Sequence, residues 1–421
     1  MRIIYSKSIM DSHQKKFFNN APRCPGGLLT RRDFLKGTVA AAAIATVPSM
    51  NSAFSATPDN SNRLSKSPVG IALCKRYNYR EVKKSLGKLF DEIGGVRALV
   101  KNKRVTVKTN LVNTSGEDVY GVPLWLTVTV HPFVAMAMGS LFVDYGAREV
   151  VFCDQLPFRL PDAKAFYGYG FNLKIFNDAM NGRAKFLNTR NKGSFKDYAF
   201  VKVPDGELAS AWEVNRIYAD TDVFVSLGKL KNHVSAGITG GMKNMFGIPP
   251  SSLYGDDLKD EPDENAVGYR NQSMHNCTRK PFTSSETFTG KSIEGEHGYN
   301  VPRFVVDLAA AFPIHLVVLD AISVLQTAEG WWIGSLVSVT HPGLLIAGTN
   351  PVSTDAVATA AMGFNPDAQD KMLPFVNGTN YLALARKRGL GENRISNIDI
   401  VGVKLEQARF EYQPTFRRSA L

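Results

Sequence analysis

Residues 223–250 read VFVSLGKLKNHVSAGITGGMKNMFGIPP. The apolar run 223–227 has the length and β-branched character of a buried strand. It leads into Lys229 and Lys231, then His233, then a glycine-rich bend at Gly237, Gly240 and Gly241, then Lys243. A buried strand ending in a donor-rich, flexible loop is how α/β proteins hold anions, cofactors and substrates. No other segment of the 421 residues has this density of chemically usable groups.

On the amino-terminal side, 69–74 reads as a strand, 79–93 as an amphipathic helix, and 104–110 (RVTVKTN) as a strand closing on Asn110. A helix over 132–145 stops at Gly146, as helices commonly do. The strand 149–153 (EVVFC) follows and runs into Asp154. On the carboxyl-terminal side, 301–311 is helical and 315–325 (HLVVLDAISVL) is a buried strand with its exit. A further strand, 343–348 (GLLIAG), precedes Asn350 and Pro351, which cap and open a helix through 362. The final strand falls at 398–403. This alternation predicts an α/β fold of two lobes, with largely parallel sheets flanked by helices and the site in the inter-lobe cleft. The lobes are expected over 69–253 and 301–421. Between them, 254–300 loses hydrophobic periodicity, and polar stretches of that length are as a rule functional or disordered.

Residues 30–36 (TRRDFLK) form a twin-arginine motif, and the alanine-rich run 37–50 after it is too short to cross a bilayer as a helix. Residues 1–56 therefore read as an export signal and 57–68 as a linker. The motif implies the twin-arginine export machinery as a partner, a periplasmic or extracytoplasmic destination, and no transmembrane segment in the mature chain. That route carries folded passengers, many of them with a cofactor already inserted. Residues 1–56 hold eight Lys/Arg against two acids, so half of the net +12 lies in the signal. The rest has no basic helix and no aromatic-interleaved Lys/Arg stripe, which excludes nucleic-acid binding. Cys24, Cys74, Cys153 and Cys277 show no CxxC spacing, which argues against an iron–sulfur cluster or structural zinc. Cys74 and Cys153 sit in apolar runs and read as small buried hydrophobes.

The central bend fails as a phosphate-binding loop. Met242 holds the place of the second glycine and Asn244 that of the closing Ser/Thr. Gly168 and Gly170 begin a dinucleotide fingerprint, but Leu173 stands where its third glycine belongs. Nucleotide hydrolysis and simple dinucleotide redox chemistry thus find no support. The glycines of the bend instead allow a bulky cofactor to approach the backbone, which makes Gly237, Gly240 and Gly241 cofactor-binding candidates. Lys229 and Lys231 at one strand end, with Asn110 at another, are candidates for holding a carboxylate or phosphate.

Residues 228–250, together with Asp320-Ala321, Glu329-Gly330 and residues 350–358 (NPVSTDAVA), resemble the signature of the domain of unknown function 362 family. The resemblance spans about residues 104–404. His233, Ala236, Gly237, Gly240, Gly241 and Lys243 also reproduce H-x-x-A-G-x-x-G-G-x-K, similar to a pattern in nickel-pincer-nucleotide lactate racemases. That similarity implies a catalytic acid/base at His233 and covalent cofactor attachment at Lys243. It also implies a nickel ligand at His297 or His275, with nickel or a nickel-pincer nucleotide as cofactor. Where those racemases have a second catalytic histidine after an N-lobe strand, this chain has Asp154, which becomes the catalytic candidate there. Glu329-Gly330 is followed by Trp331-Trp332-Ile333-Gly334 rather than by the racemases' x-G-P.

The activity implied is racemase- or epimerase-like proton or hydride chemistry on a small hydroxy- or oxo-acid. Two other classes stay open. One is a non-catalytic periplasmic binder of an anionic ligand or metal, with Lys229, Lys231 and Lys243 as counter-charges. The other is a partner subunit of an exported redox complex.

Overall fold

Three apolar strands open the fold: β1 (Val69–Leu73), β2 (Arg104–Lys108) and β3 (Glu149–Asp154). The computed structural model describes residues 67–112, 118, 121–156, 162–190, 198–255, 271–275, 300–329 and 338–415. The twin-arginine motif, Cys24, Cys277, the acidic run 256–264, His297, Trp331 and Trp332 lie outside the described residues.

After β3 come β4 (Ala184–Asn188), the hairpin strands β5 (Tyr198–Lys202) and β6 (Ala211–Asn215), and β7 (Val223–Lys229). A short hairpin, β8 (Lys231–His233) and β9 (Gly237–Thr239), follows directly. The later strands are β10 (Leu316–Ala321), β11 (Val324–Gln326), β12 (Ser338–Thr340), β13 (Leu344–Gly348) and β14 (Ile400–Gly402). Eight of them share one sheet in the order β14-β1-β13-β10-β7-β2-β3-β4. β13 runs antiparallel to both neighbours, β1 and β10, and the remaining pairs are parallel.

The α/β class and the largely parallel strands agree with the sequence reading. The partition into two sheets does not, because strands from before and after the polar insertion interleave in one sheet. β7, β10 and β13 are buried at every residue, as strands covered on both faces must be. Continuous apolar runs of this kind do not reveal their neighbours.

Helices cover both faces. α1 (Tyr79–Ile93) is capped by the Asn78 side chain, which accepts from the Arg80 and Glu81 amides. It buries Val82, Leu86, Leu89, Phe90 and Ile93 at helical spacing. Gly70 of β1 faces Leu89 and Ile93, while its neighbours Val69 and Ile71 join the opposite core with Val352 and Ala356. α2 (Pro132–Asp144) is buried almost all round and packs on α1 and β3. α3 (Asn300–Ala311) and α4 (Pro351–Ala361) complete the set, and Asn350 caps α4 at the Ser353 amide.

The chain order matters for the site. Strands β2, β3 and β4 step toward one edge, then β7 returns to the other side of β2 and β10 continues away from it. The direction of winding therefore reverses between β2 and β7. In open α/β sheets, the crevice beyond the carboxyl ends of the strands at such a reversal is where ligands bind.

Candidate functional site

The carboxyl ends of β10, β7, β2 and β3 carry Asp320, Lys229, Lys108 and Asp154 side by side. Asp320 and Lys229 are direct partners in the parallel register. The Lys229 ammonium donates to Asp320 Oδ2 (3.1 Å), the Tyr77 hydroxyl (2.8 Å) and the Trp125 carbonyl (2.9 Å). Three donors meet three acceptors, and the side chain has no exposed surface. Burial lowers the Lys229 pKa, and the Asp320 charge opposes that shift. Tyr77 stacks on His131 at 3.9 Å, and burial holds His131 well below its ordinary value, so its ring is neutral.

Lys108 repeats the pattern. Its ammonium donates to Asp154 Oδ1 (2.7 Å), the Thr109 carbonyl (2.6 Å) and Asn244 Oδ1 (3.3 Å). Asp154 also accepts from the Gln155 amide (2.8 Å), the Leu111 amide (2.8 Å) and the Thr109 hydroxyl (3.1 Å). Both carboxylate oxygens thus hold backbone and a buried cation in place. Such pairs specify geometry, and removing one partner is expected to cost about 3–5 kcal/mol.

Lys231 departs from this pattern. It is 1% exposed, yet its ammonium has one hydrogen-bond acceptor among the described residues, Asn110 Oδ1 at 3.1 Å, and no carboxylate within ion-pair distance. Asn110 Oδ1 also accepts from the Lys229 amide (3.3 Å), so it bridges β2 and β7 where the winding reverses. Burial first, then the Lys243 charge, with smaller contributions from Lys229 and Lys108, together push the Lys231 pKa down to about 7 against the opposing pull of Glu329.

His233 ends β8. Its Nδ1 accepts from the Ser235 amide (3.1 Å) and the Ala236 amide (3.2 Å) of the hairpin turn. Two N–H groups aimed at Nδ1 assign the proton of the neutral ring to Nε2. Nε2 lies 3.7 Å from Glu329 Oε1, an electrostatic contact longer than a hydrogen bond. Glu329 Oε2 accepts from the Val234 amide at 2.7 Å, which ties the carboxylate to the hairpin tip. Burial raises the Glu329 pKa against the Val234 hydrogen bond and the charges of Lys243 and Lys231. Glu329 thus interacts with all three of His233, Lys231 and Lys243.

Lys243 lies in the short helix Gly241–Asn244, its ammonium 4.4 Å from the centre of the Phe246 ring. The same ring meets His275 edge-on at 5.2 Å, which brings His275 beside Lys243 through Phe246. Two β-branched residues in left-handed backbone flank the cluster: Val112 (φ 51°), just after Asn110, and Thr327 (φ 75°), just before Glu329. Strain of roughly 1–3 kcal/mol at such positions persists where the surroundings over-determine the chain, and it concentrates at functional sites.

The glycines play a different part. Gly241 and Met242 donate their amides to the Asp355 carboxylate (2.7 and 3.0 Å), and the Tyr381 hydroxyl donates to the same group (3.2 Å). A Cβ on Gly240 would meet that carboxylate at 2.4 Å, and one on Gly241 would meet Val317 at 2.5 Å. Gly237 adopts φ 81° with the Pro374 carbonyl 3.0 Å from where its Cβ would lie. The bend is filled by the protein's own side chains.

A family model described as "Domain of unknown function (DUF362)" matches residues 105–360, more than half of the chain. The chain belongs to the DUF362 family. A twin-arginine translocation signal matches residues 28–48 of this DUF362 chain, which indicates export across the membrane. Among the described residues, no helix is long and apolar enough to cross a membrane. No curated protein matches the sequence. Two of the solved structures it resembles are as follows. One is a protein from Thermotoga maritima, 13% identical, TM-score 0.31, over 60% of this chain and 52% of that one. The other is the lactate racemase apoprotein from Thermoanaerobacterium thermosaccharolyticum, 12% identical, TM-score 0.32, over 68% of this chain and 56% of that one. The chain spans little more than half the length of either.

Of the candidates marked in the DUF362 sequence, His233, Lys231, Lys243 and Asn110 fall into one connected cluster, and His275 borders it through Phe246. Lys229 and Asp154 are consumed in buried ion pairs, and Gly237, Gly240 and Gly241 pack against the protein itself. His297 lies outside the described residues. Sequence reasoning missed Lys108 and passed over Glu329. A lysine inside the apolar strand RVTVK was the available sign of the first, and the Glu329-Gly330 pair was that of the second.

The described residues fit a pincer nucleotide poorly. The bend that would cradle it directs its amides at Asp355, and no group of three or more His, Cys, Asp or Glu among the described residues is placed to hold a metal.

Proposed function

We propose that this exported protein binds a small hydroxy- or oxo-acid at the carboxyl ends of β2 and β7 and moves a proton on it, in the manner of a racemase or epimerase. The supporting observation is the grouping of His233 and Glu329 with two lysines, Lys231 and Lys243, at the reversal of the sheet. Lys243 supplies a counter-charge for the substrate carboxylate. His233, its Nδ1 occupied by two amides, acts through its Nε2–H as a neutral hydrogen-bond donor that polarises a substrate oxygen. Glu329 is the base, because burial raises its affinity for a proton toward the working range of a general base. This assignment departs from the acid/base role that the motif suggests for His233, with the Glu329 carboxylate rather than the imidazole taking the proton.

The test is to incubate the exported protein in D2O with a panel of 2-hydroxy and 2-oxo acids. Deuterium uptake next to the carboxyl or carbonyl carbon is followed by NMR, and binding by calorimetry. Glu329→Gln should slow exchange by roughly 10²-fold or more with little loss of binding. Binding without exchange in the wild type would leave only a carrier of small anions. No binding of any acid would end the proposal.

A further inference from the structure

We infer that Lys231 is a covalent catalyst whose amine condenses with the carbonyl carbon of a 2-oxo acid to form an imine. The inference rests on the small-acid reading above and narrows it to substrates that carry a carbonyl.

Three lysines are buried at the carboxyl ends of β2 and β7 or just beyond them, and they divide sharply. Lys108 and Lys229 each donate to three acceptors, one of them an aspartate within 3.1 Å. Lys231 is equally buried but has a single neutral acceptor among the described residues, Asn110 Oδ1. A lysine kept in the interior without an anion is costly to hold as an ammonium. The charged groups that act on it are Lys243, Lys229 and Lys108, which disfavour its protonation, and Glu329, which favours it. Desolvation beside a second cation is the environment that turns a lysine into a nucleophile. Its pKa of about 7 gives it a neutral fraction at pH 7 about a thousandfold above that of an ordinary lysine.

The step balances without an outside oxidant or reductant. The amine lone pair forms the C–N bond while the carbonyl π electrons move to oxygen. Both amine hydrogens then leave with that oxygen as one water, which gives the C=N bond. Lys243 holds the carboxylate, and Nε2–H of His233 stabilises the oxygen as it gathers charge. A proton taken up from solvent onto the imine nitrogen gives an iminium, which withdraws electrons from the adjacent carbon and makes proton removal there by Glu329 easier.

The experiment treats the exported protein at pH 7 with pyruvate and sodium cyanoborohydride, followed by intact mass and peptide mapping. Propionate, which lacks the carbonyl, serves as the binding control. The expected result is one adduct per chain on the peptide bearing Lys231, with a mass gain of one pyruvic acid less one oxygen atom, and its loss in Lys231→Arg. Mapping on the wild type decides the matter even if that variant fails to fold. An adduct on Lys243 or on scattered surface lysines overturns the inference. Binding of both pyruvate and propionate with no adduct overturns it while leaving the small-acid reading intact. Absence of binding and adduct together overturns both.

Discussion

At the scale of single residues, what separates structure from chemistry is whether a buried charge has its partners. Lys229 and Lys108 have them, and Lys231 does not. The difference has a thermodynamic signature. The folded-state pKa of Lys231, about 7, lies below its ordinary 10.5. Between those values the folded chain binds fewer protons than the unfolded one, so this residue's contribution to stability grows as pH rises through the window. It is lost as pH falls through 7. Lys231→Met removes the burden of an interior ammonium and should stabilise the protein by a few kcal/mol below pH 7 while abolishing its chemistry. Urea unfolding of wild type and variant from pH 6 to 10 checks this. Parallel curves would show that the ammonium is no burden. The sequence brings Lys231, His233 and Lys243 together because they lie within thirteen residues. It could not reveal Glu329 as their common neighbour, because that proximity is created by β10 pairing with β7. Nor could it show that Asp154 is saturated, since its partners Lys108, Thr109 and Leu111 come from another strand and its exit.

At the scale of elements, local physics was readable and close packing was not. Helix α1 spans the expected residues 79–93 because its start and stop are written locally, in the Asn78 cap and in Gly94 at φ 69°. The glycine-rich bend carried no such mark. Its amides could serve a ligand or the protein, and the group that claims them, Asp355, arrives more than a hundred residues later on α4. Burial raises the Asp355 pKa from 3.8 to about 6, despite the two amides and the Tyr381 hydroxyl. The folded state therefore holds this proton more tightly than the unfolded chain. The stability it contributes is fully present below pH 3.8 and is lost as pH rises through 6, an effect of about 3 kcal/mol. Asp355→Asn cannot titrate. The stability difference between variant and wild type should shift by about that amount in the variant's favour between pH 4 and pH 7. Chemical denaturation at those two pH values measures it, and an unchanged difference would mean that the carboxyl does not titrate in this range.

At the scale of the whole molecule, the sheet joins the beginning of the described chain to its end. β1, at Val69–Leu73, lies between β13 and β14, the latter at Ile400–Gly402. Segment spacing could identify these strands but not their order, because a buried strand is apolar on both faces whoever its neighbours are. The same arrangement means that β1 must wait for nearly the whole chain before its partners exist, a topology rich in distant contacts. An export route that carries finished folds suits such a chain, and the twin-arginine signal at residues 28–48 names that route. Recognition by that route should depend on the guanidinium groups themselves. Lysine keeps the charge of Arg31 and Arg32 but loses the planar, forked donor geometry. The double substitution Arg31→Lys, Arg32→Lys should therefore leave the chain inside the cell at its precursor mass, folded and with its unfolding midpoint unchanged. Wild type should appear outside the cytoplasm. Cell fractionation followed by immunoblotting separates the two outcomes, and undiminished export of the double variant would show that the pair does not direct it.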